Sequence, residues 1–192
     1  MILEGIVTTE RSDGSMHLAP MGPWVDESLQ SWTLKPFQTS ESFSNMHRSG
    51  RCIFHVVDDA LLLAQAVLGL ADDRPSQFDS SVGYVLDDAC HWYALSLEDW
   101  DLSQPRASVR GVIKAHQVHR AFWGWNRAKH AVLEAAILIS RKHLLEPHVL
   151  DAEFERLSIA IEKTAGDRER KAFALLRSQC PQIASNPKDE GR

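Results

Sequence analysis

Apolar and β-branched residues alternate with polar ones from the start of the chain. Ile2, Glu4, Ile6 and Thr8 point one way and Leu3, Gly5, Val7 and Thr9 the other, the period-2 pattern of a strand. The run stops at Arg11-Ser12-Asp13-Gly14, where Asp-Gly favours the positive φ of a hairpin turn. Residues 16–19 are then the expected return strand, and Pro20, Gly22 and Pro23 are expected to break it, because proline cannot donate to a ladder. Residues 31–35 read as a third strand ended by Pro36. Residues 39–46 read as a helix, with Ser40 as N-cap, Phe43 and Met46 at i, i+3 spacing, and Gly50 as terminator. A β-rich run follows at 51–57. Asp58 and Asp59 then precede an apolar helix at 60–68, where acidic residues suit the positive helix end. Residues 71–81 read as a surface loop, and 86–96 and 109–118 as strands.

From Asn126 the period becomes helical. Asn126 caps 127–145, with Val132, Ala135, Ala136, Ile139 and His143 along one stripe, and Pro147 closes it. Asp151 caps a second helix whose Phe154, Leu157, Ile161 and Thr164 share a face, ended by Gly166. Asp167 caps a third, with Ala172, Phe173 and Leu176 inward and Pro181 as the stop. The expected fold is α+β: a β-rich domain over 1–125, a helical appendage over 126–180 and a flexible tail over 181–192.

At 192 residues, 44% hydrophobic and 24% charged, the chain has the composition of a globular protein with a sizeable core. The net charge of -5, with no block of like charge, argues against a surface that tracks nucleic-acid phosphates. Cys52, Cys90 and Cys180 show no CxxC spacing and read as reduced thiols. The first ten residues lack a basic region followed by an apolar one, and no apolar run approaches the ~18 residues of a membrane span. A soluble cytoplasmic protein without membrane or nucleic-acid partners is expected.

Chemistry has few places to sit. Lys35 and the hydroxyls of Thr39, Ser40, Ser42 and Ser44 cluster around the expected helix start, whose unpaired N–H groups suit a phosphate; the plainer reading is that Ser40 caps the helix and Lys35 is solvated. Residues 19–23, a broken strand, offer backbone groups to a flat heterocycle, or form a simple turn. His55 is either a proton donor near the end of its strand or, more simply, a satisfied interior histidine. Three positions apart in a strand, His116 and His119 fall on opposite faces. His130 and Glu134, at i, i+4, have no evident third ligand, so no metal is expected. Phe122, Trp123 and Trp125 flank Gly124 and read as a stacking wall or, more simply, as core. No P-loop, GxGxxG, GxSxG or HExxH occurs.

Together these segments resemble the DUF447 family of flavin reductase-like, FMN-binding split barrels. The resembling blocks are MILEGIVTT at the N-terminus, LAPMGP at 18–23, LKPF at 34–37, FHVVDD at 54–59, GWNRAKHAVLEAAIL at 124–138 and IEKTAGDRE at 161–169, nearly the whole chain; Trp125 stands where the family favours Phe. The resemblance implies a split β-barrel with a helical appendage, forming a homodimer that holds one FMN per subunit near the interface. It implies main-chain contacts to the isoalloxazine from Ala19, Pro20, Met21 and Gly22. It places the phosphate at the segment after the third strand, which contains Lys35, Pro36, Phe37, Thr39, Ser40 and Ser42, with Asn45 one turn on. His55 becomes the candidate proton donor. The family's reaction is not defined. A nicotinamide or deazaflavin electron donor is compatible with a flavin, and the family's association with tetrahydromethanopterin-linked one-carbon metabolism suggests a pterin-like substrate. A non-enzymatic FMN-binding protein or scaffold dimer is the alternative.

Overall fold

The computed structural model describes residues 1–181, which fall into two compact units, Met1–Gly124 and a second that begins at Trp125. The first unit contains strands β1 (Gly5–Glu10), β2 (Met16–Met21), β3 (Trp24–Val25) and β4 (Trp32–Leu34), helix α1 (Glu41–Ser49), β5 (Arg51–Val56), helix α2 (Ala60–Val67), and strands β6 (Ser76–Asp79), β7 (Gly83–Leu86), β8 (His91–Asp101) and β9 (Ser108–Val118). Seven of the strands form one antiparallel sheet in the order β2-β1-β5-β8-β9-β4-β3.

The sheet curls onto itself. Ile2 bridges Trp24, Leu3 N donates to Pro23 O across 3.0 Å, and Val25 N donates to Met1 O across 2.8 Å. The chain leading into β1 therefore covers the outer edge of β3, and β2 is left as the projecting edge. Inside the curl pack Val7, Trp32, Leu34, Met46, Phe54, Tyr93, Leu95 and Val109. On the outer face Ile6, Leu18, Leu62, Ala66 and Leu86 form a second cluster beneath α2 and β7. Adjacent Ile6 and Val7 thus serve different cores, which is why β1 is buried on both faces. Gly5 is dictated by close approach: a Cβ there would lie 2.4 Å from His55 O.

Helix α1 has the boundaries its sequence signals. Ser40 Oγ accepts from Phe43 N across 3.1 Å, and Gly50 ends the helix at φ 68° with its N–H on Met46 O, the left-handed cap glycine tolerates best. Asp59 caps α2 through Leu61 N.

Three expectations for this unit are corrected. Pro20 does not break the return strand; β2 continues to Met21, with Pro20 opposite Ile6. The reason is its position on the edge. Leu18 N turns outward to Asp72 Oδ1 at 3.3 Å, and alternation gives Pro20 the same outward sense, so its missing N–H costs no ladder bond. The stretch 71–81 is not all loop, since Ser76–Asp79 pairs with Gly83–Leu86 as a two-stranded hairpin across the outer cluster. The strand expected at 86–96 is displaced to His91–Asp101, because Leu86 belongs to that hairpin.

In the second unit α3 (Arg127–Ser140) is followed by a 3-10 turn at Lys142–Leu144, α4 (Pro147–Thr164) and α5 (Asp167–Arg177). Asn126 Oδ1 caps α3 through Ala128 N and Lys129 N at 2.8 and 3.0 Å. Ala128, Val132, Ala135 and Ile139 are buried on α3, Leu150, Phe154, Leu157 and Ile161 on α4, and Phe154 meets Phe173 of α5 at 5.3 Å between centroids. Here too the sequence reading is corrected. Helix α3 stops at Ser140, so His143 leaves the stripe. Pro147 opens α4 at its first turn, where a missing N–H is harmless, and Asp151 lies inside that helix. Gly166 is the N-cap of α5, which ends at Arg177 before Pro181. Apart from Pro181, the tail expected over 181–192 lies outside the described residues.

Candidate functional site

The hydroxyl segment divides into parts with different jobs. Ser40 Oγ donates to Phe37 O at 2.8 Å and accepts from Phe43 N, so capping occupies it in both directions. Asn45 is buried, its Nδ2 donating to Thr9 Oγ1 across 3.2 Å, and ties α1 to β1. Lys35 directs Nζ over the Trp24 ring, 5.7 Å from its centroid. Pro36 and Phe37 are held to the β8–β9 connection: Ala107 N donates to Pro36 O, and Arg106 lies 4.7 Å over the Phe37 ring. Thr39 is exposed.

Ser42 alone of the hydroxyls faces a polar cluster. Its Oγ lies 3.0 Å from His17 Nε2 of β2. His17 Nδ1 lies 3.2 Å from Arg11 Nη2. A guanidinium can only donate, so Nδ1 accepts, the ring proton is assigned to Nε2, and Ser42 Oγ receives it, leaving the serine's own hydrogen to donate elsewhere. Arg11 also bonds Glu41, the Met16 carbonyl and Asp72, the last at 2.6 Å. Burial disfavours charge on Arg11, but the hydrogen bonds and charges of Asp72 and Glu41 prevail and raise its pKa above the ordinary value. Burial pushes His17 below its ordinary value, reinforced by Arg11 and opposed by Glu41 and Asp72. Arg11, His17, Glu41 and Asp72 escaped the sequence reading. Arg11 reads as a turn residue and His17 as a position in an alternating strand, and only the fold brings them to the start of α1.

At the other end of β2, Ala19, Pro20 and Met21 are half-buried. A Cβ on Gly22 would lie 2.7 Å from Ile2 Cγ2 and 2.9 Å from Glu4 Oε2. Among the described residues no strand pairs with the outer edge of β2, so Leu18 and Pro20 present carbonyls on that side.

His55 is not placed to give a proton to a ligand. It is fully buried, its Nδ1 lies 3.3 Å from Ile6 O, and Leu86 N donates to its Nε2 across 3.2 Å. Desolvation lowers its pKa to about 3. The ring is neutral, with one nitrogen engaged by β1 and the other by β7, so His55 is an interior histidine and not a proton donor to a ligand. Phe122 and Trp123 are not core: Trp123 is 85% exposed.

Comparison with known proteins is consistent in family and fold. Residues 3–120 match the N-terminal domain, and 126–178 the second domain, of a family described as a protein of unknown function, DUF447. The chain belongs to the DUF447 family. Its structure resembles that of an FMN-bound DUF447 protein, MM1853 from Methanosarcina mazei, with a TM-score of 0.81 at 19% identity over 93% of this chain and 94% of that one. It also resembles the flavin reductase HpaC complexed with NADP+, with a TM-score of 0.56 at 12% identity over 64% of this chain and 81% of that one. An FMN-binding protein from Thermus thermophilus with bound 1-cyclohex-2-enone gives a TM-score of 0.53 at 10% identity over 61% and 70%. These likenesses establish the flavin reductase-like split-barrel fold for this DUF447 chain. No curated protein matches the sequence. No helix among the described residues is long and apolar enough to cross a membrane.

Proposed function

We propose that this DUF447 protein binds FMN along the free edge of β2 and acts as an FMN-dependent oxidoreductase. The observation that carries the reading is the polarity of that edge. Arg11, His17 and Ser42 gather at one end and the half-buried Ala19–Gly22 segment lies at the other, with His17 and Met21 ~13 Å apart along the strand. The FMN-bound relative of the same family and fold supports it.

The residues suit such a ligand. Ser42 has a hydrogen to give, α1 adds the N–H groups of its first turn, and Arg11 adds a cation. Glu41 and Asp72 now share that cation, and a phosphate dianion would draw it from Glu41. Met21 offers an apolar contact to the ring, and the Leu18 and Pro20 carbonyls offer acceptors to its N–H edge. When bound, FMN supplies hydride and electron exchange. The protein's part is to hold and orient it, and with His55 sealed in the interior no side-chain acid is assigned.

The working unit is proposed to be a homodimer of about 43 kDa, twice the 21.6 kDa chain, with a two-fold axis that makes both sites equivalent. Light scattering at micromolar concentration tests this, and a monomer contradicts it. A reduced nicotinamide or deazaflavin is the proposed electron donor and a pterin-like molecule the proposed acceptor class. Anaerobic mixing of the FMN-loaded protein with NADH, NADPH or a reduced deazaflavin tests the reaction: bleaching of the flavin bands is expected, and no bleaching with any of the three overturns these donors.

A further inference from the structure

We propose that His91 and His116 form a two-histidine site for a divalent first-row transition metal such as Zn²⁺. The residues come from neighbouring strands. Tyr93 of β8 sits opposite His116 of β9, and His91 opposite Val118. His91 and Tyr93, two apart, share a face of β8, which sets His91 and His116 diagonally across the pair. Their rings lie 5.4 Å apart between centroids, and His91 Nε2 is 3.2 Å from His116 Nδ1. Two metal–nitrogen bonds of ~2.0–2.1 Å enclose a nitrogen pair ~2.9–3.4 Å apart between right-angled and tetrahedral geometry. The observed separation falls inside that bite.

A third group fixes the geometry. Tyr93 Oη lies 3.2 Å from His91 Nδ1, with the two rings stacked 4.2 Å apart. One tautomer of His91 donates from Nε2 to His116 Nδ1 and accepts the Tyr93 proton at Nδ1. With metal, the proton belongs on Nδ1, and Tyr93 can accept it, because a phenol oxygen both donates and accepts. The exchange of tautomers therefore leaves no polar group orphaned, and Tyr93 serves as the outer partner that orients a ligating histidine. Among the described residues no three His, Cys, Asp or Glu side chains group around a metal position, so water completes the coordination. Spacing within a single strand could not reveal this pair, because its members lie twenty-five residues apart.

The metal site shares no residue with the proposed FMN site and is tested by titrating ZnCl2 into chelator-stripped, full-length protein near pH 7.5 by calorimetry, with thermal unfolding as the check on folding. One Zn²⁺ per chain is expected. His116→Ala, at an exposed position, and His91→Gln should each weaken it at least tenfold, while His130→Ala should leave it unchanged. Tyr93→Phe keeps the ring packing and should weaken Zn²⁺ by ~10-fold without a matching loss of thermal stability. No saturable binding below millimolar Zn²⁺, or an affinity unchanged in His116→Ala, overturns the proposal.

Discussion

His17 Nε2 lies 3.0 Å from Ser42 Oγ, joining the edge strand of the barrel to the first turn of α1. Arg11 Nη2, at 3.2 Å, is nearer the other ring nitrogen than Glu41 Oε2 at 3.4 Å, so the ring proton is assigned to Nε2 and the bond runs from His17 to Ser42. Ser42 then has its hydrogen to offer at a helix end that already favours an anion. This relationship singles out Ser42 from the four hydroxyls of its segment and underlies the first two predictions.

Ser42→Ala should weaken FMN by ~1.5–3 kcal/mol, the range for a hydrogen bond to a charged group. Riboflavin, which has no phosphate, should bind the variant as it binds the wild type. Ser40→Ala should act differently, lowering helix stability by ~1 kcal/mol as a lost N-cap. Fluorescence titration with both ligands and urea unfolding separate these effects. An equal loss of FMN and riboflavin in Ser42→Ala would contradict the assignment.

Glu41 competes with any phosphate for Arg11. Glu41→Gln should therefore tighten FMN relative to riboflavin, and the gain should shrink as salt is added, because exposed charges are screened over ~8–10 Å. A titration series in sodium chloride measures both. Weaker FMN binding in Glu41→Gln would show that the carboxylate orders the site instead of competing for it.

His55 makes stability depend on pH. Its folded pKa is lowered from 6.5 to about 3, so the unfolded chain binds a proton that the folded chain refuses. Its stabilising contribution is complete above pH ~6.5, falls as pH drops through the window down to about 3, and is then exhausted. The total at stake is on the order of a few kcal/mol. His17, also lowered, adds a smaller loss of the same sign. Urea unfolding at pH 7.5 and 5 should show the wild type losing stability on acidification, and His55→Gln, less stable at pH 7.5, should show a flatter slope. Equal slopes would mean that His55 is not buried in its neutral form.

What was legible in the sequence was local chemistry. Ser40 and Gly50 bracket α1 because capping is decided within a few residues, and Asp13-Gly14 turns the first hairpin for the same reason. What was not legible depended on distant partners. Pro20 stays in a strand only because β2 lies on an edge, a fact set by the pairing of β1 with β5. The hairpin at Ser76–Asp79 and Gly83–Leu86 places Leu86 and Tyr84 against Ile6, Leu18 and Leu62, and the polar sequence of its first strand advertises only a loop. Arg11 and Glu41 are thirty residues apart, so no local pattern could join them. His55 carries the same lesson: its alternation in β5 was plain, but its two hydrogen bonds reach back to Ile6 and forward to Leu86.

The central claim is that the chain holds FMN at the β2 edge through its phosphate. The most direct measurement is calorimetric titration of the flavin-free protein with FMN, riboflavin and FAD in parallel, accompanied by the visible spectrum of the protein as purified. Flavin bands, release of FMN and not FAD on denaturation, and FMN binding at least tenfold tighter than riboflavin are the results the account predicts. No FMN affinity below the millimolar range, ~4 kcal/mol of binding free energy, or riboflavin binding as tightly as FMN, would contradict it.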